Sequence, residues 1–313
     1  MADAGMRILM VGAGAVGGFV GGRLVQAGRE VDFLVRPRRA EQLNQRGLRI
    51  VDGTRTEVIE ASTVTASSIA GPYDLVLLSV KAQALPAAIE DFKPAVGPES
   101  AVVPFLNGMN HVDTLAEALG REAVLGGVLK VITQLDSDGA IRLFVPGGSI
   151  EVGELAGTTT KRVTEIAETL SIPGFAVSVP ENIVDTMWSK WVFIATLGAV
   201  SSLAHGTIGE AVATVGGTAF AEDTLAEAAS VARAAGHPLS SADFAATRAV
   251  ATTNGSAGTS SLSRDLLSGQ TTEVEAVLGD LITRAHALGL AVPRIEAAAL
   301  TLRAHNARVA KSA

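Results

Sequence analysis

Along the first half of the chain, short runs of apolar and β-branched residues alternate with stretches of helical period. RILMVG (7–12), EVDFLV (30–35), DLVLLSV (74–80) and AVVPFL (101–106) read as strands, with AVGGFVGGRLVQAG (15–28) and PAAIEDF (86–92) as helices between them. Strands that are apolar throughout predict a parallel sheet covered by helices on both faces. From about Ala123 the pattern changes. VLGGVLKVITQL (124–135), AIRLFVP (140–146) and SIEVGEL (149–155) sit close together with glycine-rich turns, which predicts an antiparallel extension of the same sheet. A helix over Lys161–Leu170 and a strand FAVSVP (175–180) follow. Beyond Pro180 helical period dominates, through residues 183–197, 209–236, 271–289 and 295–305. The reading is an α/β domain over residues 1–180 followed by an all-α domain over 181–313. Met1–Gly5 carry no pattern and are expected to be mobile and dispensable.

Composition narrows the class. The 313 residues suffice for two domains of ordinary size, and 48% are hydrophobic, which suits a well-buried core. A net charge of −7 argues against a general attraction to nucleic acid or an anionic membrane. Cysteine is absent, which excludes disulfides and thiolate chemistry. The start lacks the charged region and cleavage site of a signal peptide. The apolar stretch WVFIATLGAVSSLA (191–204) is shorter than the ~20 residues a bilayer needs. A soluble cytoplasmic protein is expected, with no nucleic-acid or membrane partner. The five histidines are scattered and no carboxylates have ligand spacing, so no metal site is expected.

Chemistry enters with VGAGAVGG, where Gly12, Gly14 and Gly17 have GxGxxG spacing between a strand and a helix. The first glycine permits the tight turn, the second lets a pyrophosphate approach the backbone, and the third lets helix and strand pack closely. Ala13, Ala15 and Val16 complete the loop, whose free N–H groups at the helix start favour anions. The second strand ends Val35-Arg36 with no acid at its tip, and Arg38 and Arg39 follow. An acid there would hold the ribose of NAD, whereas guanidinium groups suit the 2′-phosphate of NADP. Arg36 is the candidate, and Arg38 and Arg39 read as ordinary surface charges. The cofactor expected is NADP(H).

Lys81 in LLSVKAQ and Asn107 in PFLNGMN follow apolar strands directly, where open parallel sheets bind ligands. Each has a plain alternative, a solvated lysine and an Asn-Gly turn. In MWSKWVFIATL, Lys190 stands in an apolar helix, where it either snorkels to water or has a purpose. Glu273 and Glu275 open a later helix, Glu275 in capping-box spacing with Thr272 and Glu273 as a solvated first-turn acid.

Taken together, RILMVGAGAVGG, SVKAQ, FLNGMNH, MWSKWVF, SSLSRDLLSGQTTEVEAVLG and HALGLAVP, in this order, resemble the ketopantoate reductase (2-dehydropantoate 2-reductase) family. The match runs over nearly the whole chain. It implies a Rossmann domain followed by a helical domain, the active site in the cleft between, and NADPH-dependent reduction of 2-dehydropantoate in the pathway to pantothenate. By the same resemblance Lys190 is the catalytic lysine that holds and protonates the ketone oxygen. Glu273 is the acid bonded to the substrate hydroxyl, and Ser261 the serine at the substrate carboxylate. Asn107 is the asparagine between nicotinamide and substrate, and Lys81 and Gln83 lie on the cofactor side.

The chain departs from the family's pattern at two positions. Asparagines typically stand four and eight residues after the lysine, and here Ile194 and Gly198 occupy those places. Losing polar partners changes which substrate fits. A reductase of the same fold acting on another 2-oxo or 3-oxo acid is therefore one alternative. A non-catalytic NADP-binding sensor is another, though it would have no need of Lys190, Glu273 and Ser261 together. The Ala-rich C-terminal helices offer a surface for a homodimer.

Overall fold

The computed structural model describes residues 5–312, so the expectation for the chain start falls outside them apart from Gly5. The chain forms two compact units. One comprises residues up to Leu106 with His111–Ile183, the other Asn107–Asn110 with the chain from Val184 onward.

In chain order the first unit carries β1 (Arg7–Val11), α1 (Ala15–Gln26), β2 (Glu30–Leu34), α2 (Pro37–Arg46), β3 (Leu48–Asp52), β4 (Arg55–Ile59) and β5 (Ser62–Val64). It continues with β6 (Leu75–Leu78), α3 (Leu85–Phe92), β7 (Ala101–Pro104), α4 (Asn110–Leu119), β8 (Leu125–Lys130), β9 (Thr133–Leu135) and β10 (Ile141–Leu143). β11 (Gly148–Glu154), α5 (Lys161–Leu170) and β12 (Phe175–Ser178) complete it.

The main sheet has the order β5-β2-β1-β6-β7, every pairing parallel. Successive side chains leave a strand on opposite faces, so one apolar strand serves two cores. Ile8, Met10, Phe33, Leu75 and Leu77 pack with Phe19, Val20 and Leu24 of α1. Leu9, Val11, Val76 and Leu78 pack with Leu85, Ile89 and Phe92 of α3. The strand order reverses at β1, where β2 and β6 flank it. That is the switch point at which such sheets bind ligands.

The predicted antiparallel extension is present but does not continue this sheet. β8 and β11 do pair antiparallel, yet they form a separate sheet of order β12-β11-β8, and β9 and β10 join another of order β4-β3-β10-β9. The unforeseen hairpin of β3 and β4 causes the division. Its buried Leu48 and Ile50 give β10 a parallel neighbour, Ile141 opposite Ile50. A parallel bridge from Val102 to Val124 links the main sheet to the residue before β8.

The second unit is helical: α6 (Ile183–Ala204), α7 (Ile208–Val212), α8 (Gly217–Ala234), α9 (Ser241–Ala251), α10 (Ser261–Leu267), α11 (Asp280–Ala287) and α12 (Pro293–Ser312). A π-helix, Glu275–Gly279, runs into α11. α6 corrects the sequence reading of a stretch too short to span a bilayer. It has 22 residues and is long and apolar enough to do so, but most of its apolar window is buried in the fold. Trp188, Trp191, Val192, Ala195 and Ala199 are among its buried residues, as in a core helix. The start of α12 is capped from a distance. Glu227 accepts from the Arg294 and Ile295 amides at 3.0 and 3.2 Å, and from Arg294 Nη1 at 2.9 Å. This satisfies donors that a helix start leaves open.

Candidate active site

The glycine loop after β1 meets the segment after β6. Gly12 has φ +97°, and a Cβ there would lie 2.8 Å from the Ser79 carbonyl oxygen and 3.2 Å from Val80 Cγ1. Only glycine adopts that backbone at no steric cost. A Cβ on Gly17 would lie 2.2 Å from the Gly12 carbonyl, so the first turn of α1 is pressed onto the loop it leaves. Gly14 is different. It caps α1 without a side-chain hydrogen bond, and nothing lies within 4 Å of its Cβ position. Ala13 is buried while Ala15 and Val16 are half-buried. An open cradle at a helix start, walled by backbone, fits a dinucleotide pyrophosphate.

Arg36 stands at the tip of β2 and precedes α2. It is exposed and makes no side-chain bond among the described residues. The nearer of the strand's two acids, Asp32, is engaged elsewhere: it accepts from Ser62 Oγ at 2.5 Å and from the Tyr73 hydroxyl at 2.8 Å. Burial and this bond push the Tyr73 pKa up to about 12. Arg38 is exposed, as read from the sequence. Arg39 is not a plain surface charge. It is half-buried, and its guanidinium donates to the Ala13 carbonyl through Nη2 at 2.9 Å and Nε at 3.2 Å. Lys81 and Gln83 are exposed in the turn that follows Ser79 and Val80.

In the helical unit, the elements that carry Lys190, Asn107 and Glu273 converge. Lys190 is half-buried on α6 between the buried Trp188 and Trp191, whose ring centroids lie 4.8 Å apart. Trp191 Nε1 donates to the Val277 carbonyl at 2.8 Å, which pins α6 to the π-helix. Gly108, with φ +82°, abuts the same π-helix, and a Cβ on it would be 2.1 Å from the Ala276 carbonyl. The Asn-Gly turn is therefore both a turn and a contact. Glu273 is half-buried just before the π-helix. Glu275 does not form the capping box considered from sequence. Its carboxylate takes two bonds from Arg303, both 2.7 Å, which hold its pKa below the usual range, while Thr272 binds Asn306 instead.

Ser261 opens α10 with an exposed side chain. Its neighbour Ser260 does the structural work, accepting from the Ser263 amide at 3.0 Å and pairing with Ser201 of α6 at 2.9 Å. Gly198 belongs to this seam, since a Cβ on it would be 3.0 Å from Leu262 Cδ1. Ile194, one turn after Lys190, remains half-exposed. No pattern in the sequence signals the Arg39 clamp or the Trp191 bond.

The chain matches two parts of one family description, Ketopantoate reductase PanE/ApbA over residues 8–157 and its C-terminal part over residues 182–306. The chain belongs to the ketopantoate reductase family. An uncharacterized oxidoreductase of Bacillus subtilis, YkpB, is 34% identical over 302 residues, 96% of this chain and 99% of that one. The crystal structure of a ketopantoate reductase of Ralstonia eutropha superposes with a TM-score of 0.85 at 28% identity, covering 97% of this chain and 99% of its own. A D-mandelate dehydrogenase in a ternary complex with NADH and anilino(oxo)acetate shares the fold, with a TM-score of 0.87 at 21% identity over 97% and 100% of the two chains. As a ketopantoate reductase family member, the chain is an oxidoreductase with a Rossmann-like domain and a helical domain.

Proposed function

We propose that this oxidoreductase reduces the ketone of a 2-oxo acid to the 2-hydroxy acid with NADPH, and that 2-dehydropantoate is the first substrate to test. The observation that carries the reading is the meeting of the Lys190, Asn107 and Glu273 segments at Trp191 and the π-helix, in a member of this family. NADPH, when bound, supplies a hydride to the carbonyl carbon. Lys190 binds the carbonyl oxygen and gives it a proton as charge grows there, and water later restores the ammonium. Glu273 and Ser261 orient the substrate through its hydroxyl and carboxylate, and Asn107 positions it against the nicotinamide. Gly12 to Gly17 hold the pyrophosphate. Lys81 and Gln83 support the cofactor, and Arg36 takes the 2′-phosphate where no acid competes.

One observation favours a second reading, a different 2-oxo or 3-oxo acid. Ile194 presents an apolar side chain one turn from Lys190, and Gly198 is covered by Leu262. A substrate tail meeting that wall gains by being apolar and loses if its hydroxyl has no partner. NADPH oxidation across a panel of 2-oxo acids, with 2-dehydropantoate among them, tests both. Turnover on 2-dehydropantoate alone supports the first reading. Preference for an acid with an apolar tail, shifted back toward 2-dehydropantoate by Ile194→Asn, supports the second. Absence of turnover on every acid contradicts the proposed chemistry.

A further inference from the structure

Arg39 lies 26 residues after Ala13 in sequence but directly behind the glycine loop in space. Two of its nitrogens converge on the Ala13 carbonyl, and Nη1 bonds Gln42 Oε1 at 2.5 Å and the Gly139 carbonyl at 3.2 Å. Every one of these acceptors is neutral. The two acids of the 136–139 turn pair elsewhere, Asp138 with Arg49 at 3.0 Å and Asp136 with Arg142 at 2.7 Å. Burial, and the like charge of Arg49, lower the Arg39 pKa from its ordinary value. A half-buried guanidinium without a carboxylate is thus locked behind Gly14, whose Cβ position is open where those of Gly12 and Gly17 are not.

The peptide geometry gives this a direction. In a trans peptide the C=O and N–H point to opposite sides, and the described residues contain no cis bond. Because Arg39 holds the Ala13 carbonyl, the Gly14 N–H of the same peptide points away from Arg39. A charged donor on the carbonyl also polarises the peptide and strengthens that N–H. We propose that Arg39 is a positioning residue for the dinucleotide pyrophosphate: it fixes and polarises the Ala13–Gly14 peptide and adds positive charge behind it without touching the ligand. The inference rests on the cofactor reading above. It separates Arg39 from Arg36, whose role is to read the 2′-phosphate.

Three ligands distinguish these roles by fluorescence or calorimetric titration of the full chain: NADPH, NADH and adenosine 2′-monophosphate, which has no pyrophosphate. Arg39→Ala weakens NADPH and NADH by the same factor, about tenfold, leaves adenosine 2′-monophosphate unchanged, and Arg39→Lys recovers part of the loss. If Arg39→Ala does not fold, Arg39→Lys is read by the same titrations against wild type, with a smaller but equal loss for both dinucleotides. Loss confined to NADPH and adenosine 2′-monophosphate overturns the proposal, because Arg39 then reads the 2′-phosphate itself. So does unchanged binding of all three, or an equal loss for all three. Wild-type protein that binds neither dinucleotide refutes the cofactor reading, and the inference with it.

Discussion

Arg36 and Arg39 are three residues apart, yet their surroundings differ. The Arg36 side chain faces solvent at the tip of β2 and makes no bond among the described residues, whereas Arg39 directs its donors to the glycine loop and the 136–139 turn. The account predicts that NADPH binds more tightly than NADH, and that Arg36→Glu narrows or reverses the gap by repelling the 2′-phosphate. Fluorescence titration of both cofactors reads it, and equal affinities in wild type would contradict it. The arginine cluster and the glycine spacing were legible because their meaning is local, a strand end and a turn. Arg39 was not, since its key partners lie 26 residues before it and 100 after it. Lys190 was legible only as an alternative. An apolar helix shows that a lysine is out of place but not what it faces.

At the scale of elements, the four apolar strands of the parallel sheet could be read directly because both of their faces are buried. β4 and β5 could not: β4 is a mostly exposed edge strand and β5 has three residues. The π-helix was equally hidden, since Val274, Val277, Leu278 and Leu281 fit an ordinary helical stripe. Its junction with α6 gives a prediction. Trp191 is 1% exposed and donates to the Val277 carbonyl, so Trp191→Phe removes a buried bond and leaves part of the indole's space unfilled. A loss of ~1–3 kcal/mol is expected in urea unfolding, and an unchanged midpoint would show that the bond contributes nothing. Another junction predicts a pH effect. Arg162 donates to both oxygens of Glu154, at 2.8 and 2.6 Å, and joins α5 to the end of β11. Bonds from Arg162 and Thr160 hold the Glu154 pKa below its usual value. A carboxylate with a lowered folded pKa stabilises the fold above its unfolded value of ~4.3, and that contribution is lost as pH falls through the folded pKa. Unfolding midpoints of wild type and Arg162→Ala should therefore differ at pH 7 and converge in acid. A constant difference would remove Glu154 from the explanation.

Across the molecule, a chain of net charge −7 carries arginines in both units, and among the described residues Arg162, Arg294 and Arg303 are paired with acids while Arg36 and Arg39 are not. Family membership establishes an oxidoreductase, and the structure adds the convergence of the Lys190, Asn107 and Glu273 segments in the helical unit. Under the proposed function, Lys190 is the proton donor at this convergence, not a lysine that merely reaches water. Single-turnover reduction of a working 2-oxo acid decides it, comparing wild type with Lys190→Ala, each saturated with NADPH. The variant should bind NADPH as wild type does and reduce the substrate ~10²–10⁴-fold more slowly, the scale of lost general acid catalysis. Comparable single-turnover rates would contradict the account and remove Lys190 from the chemistry.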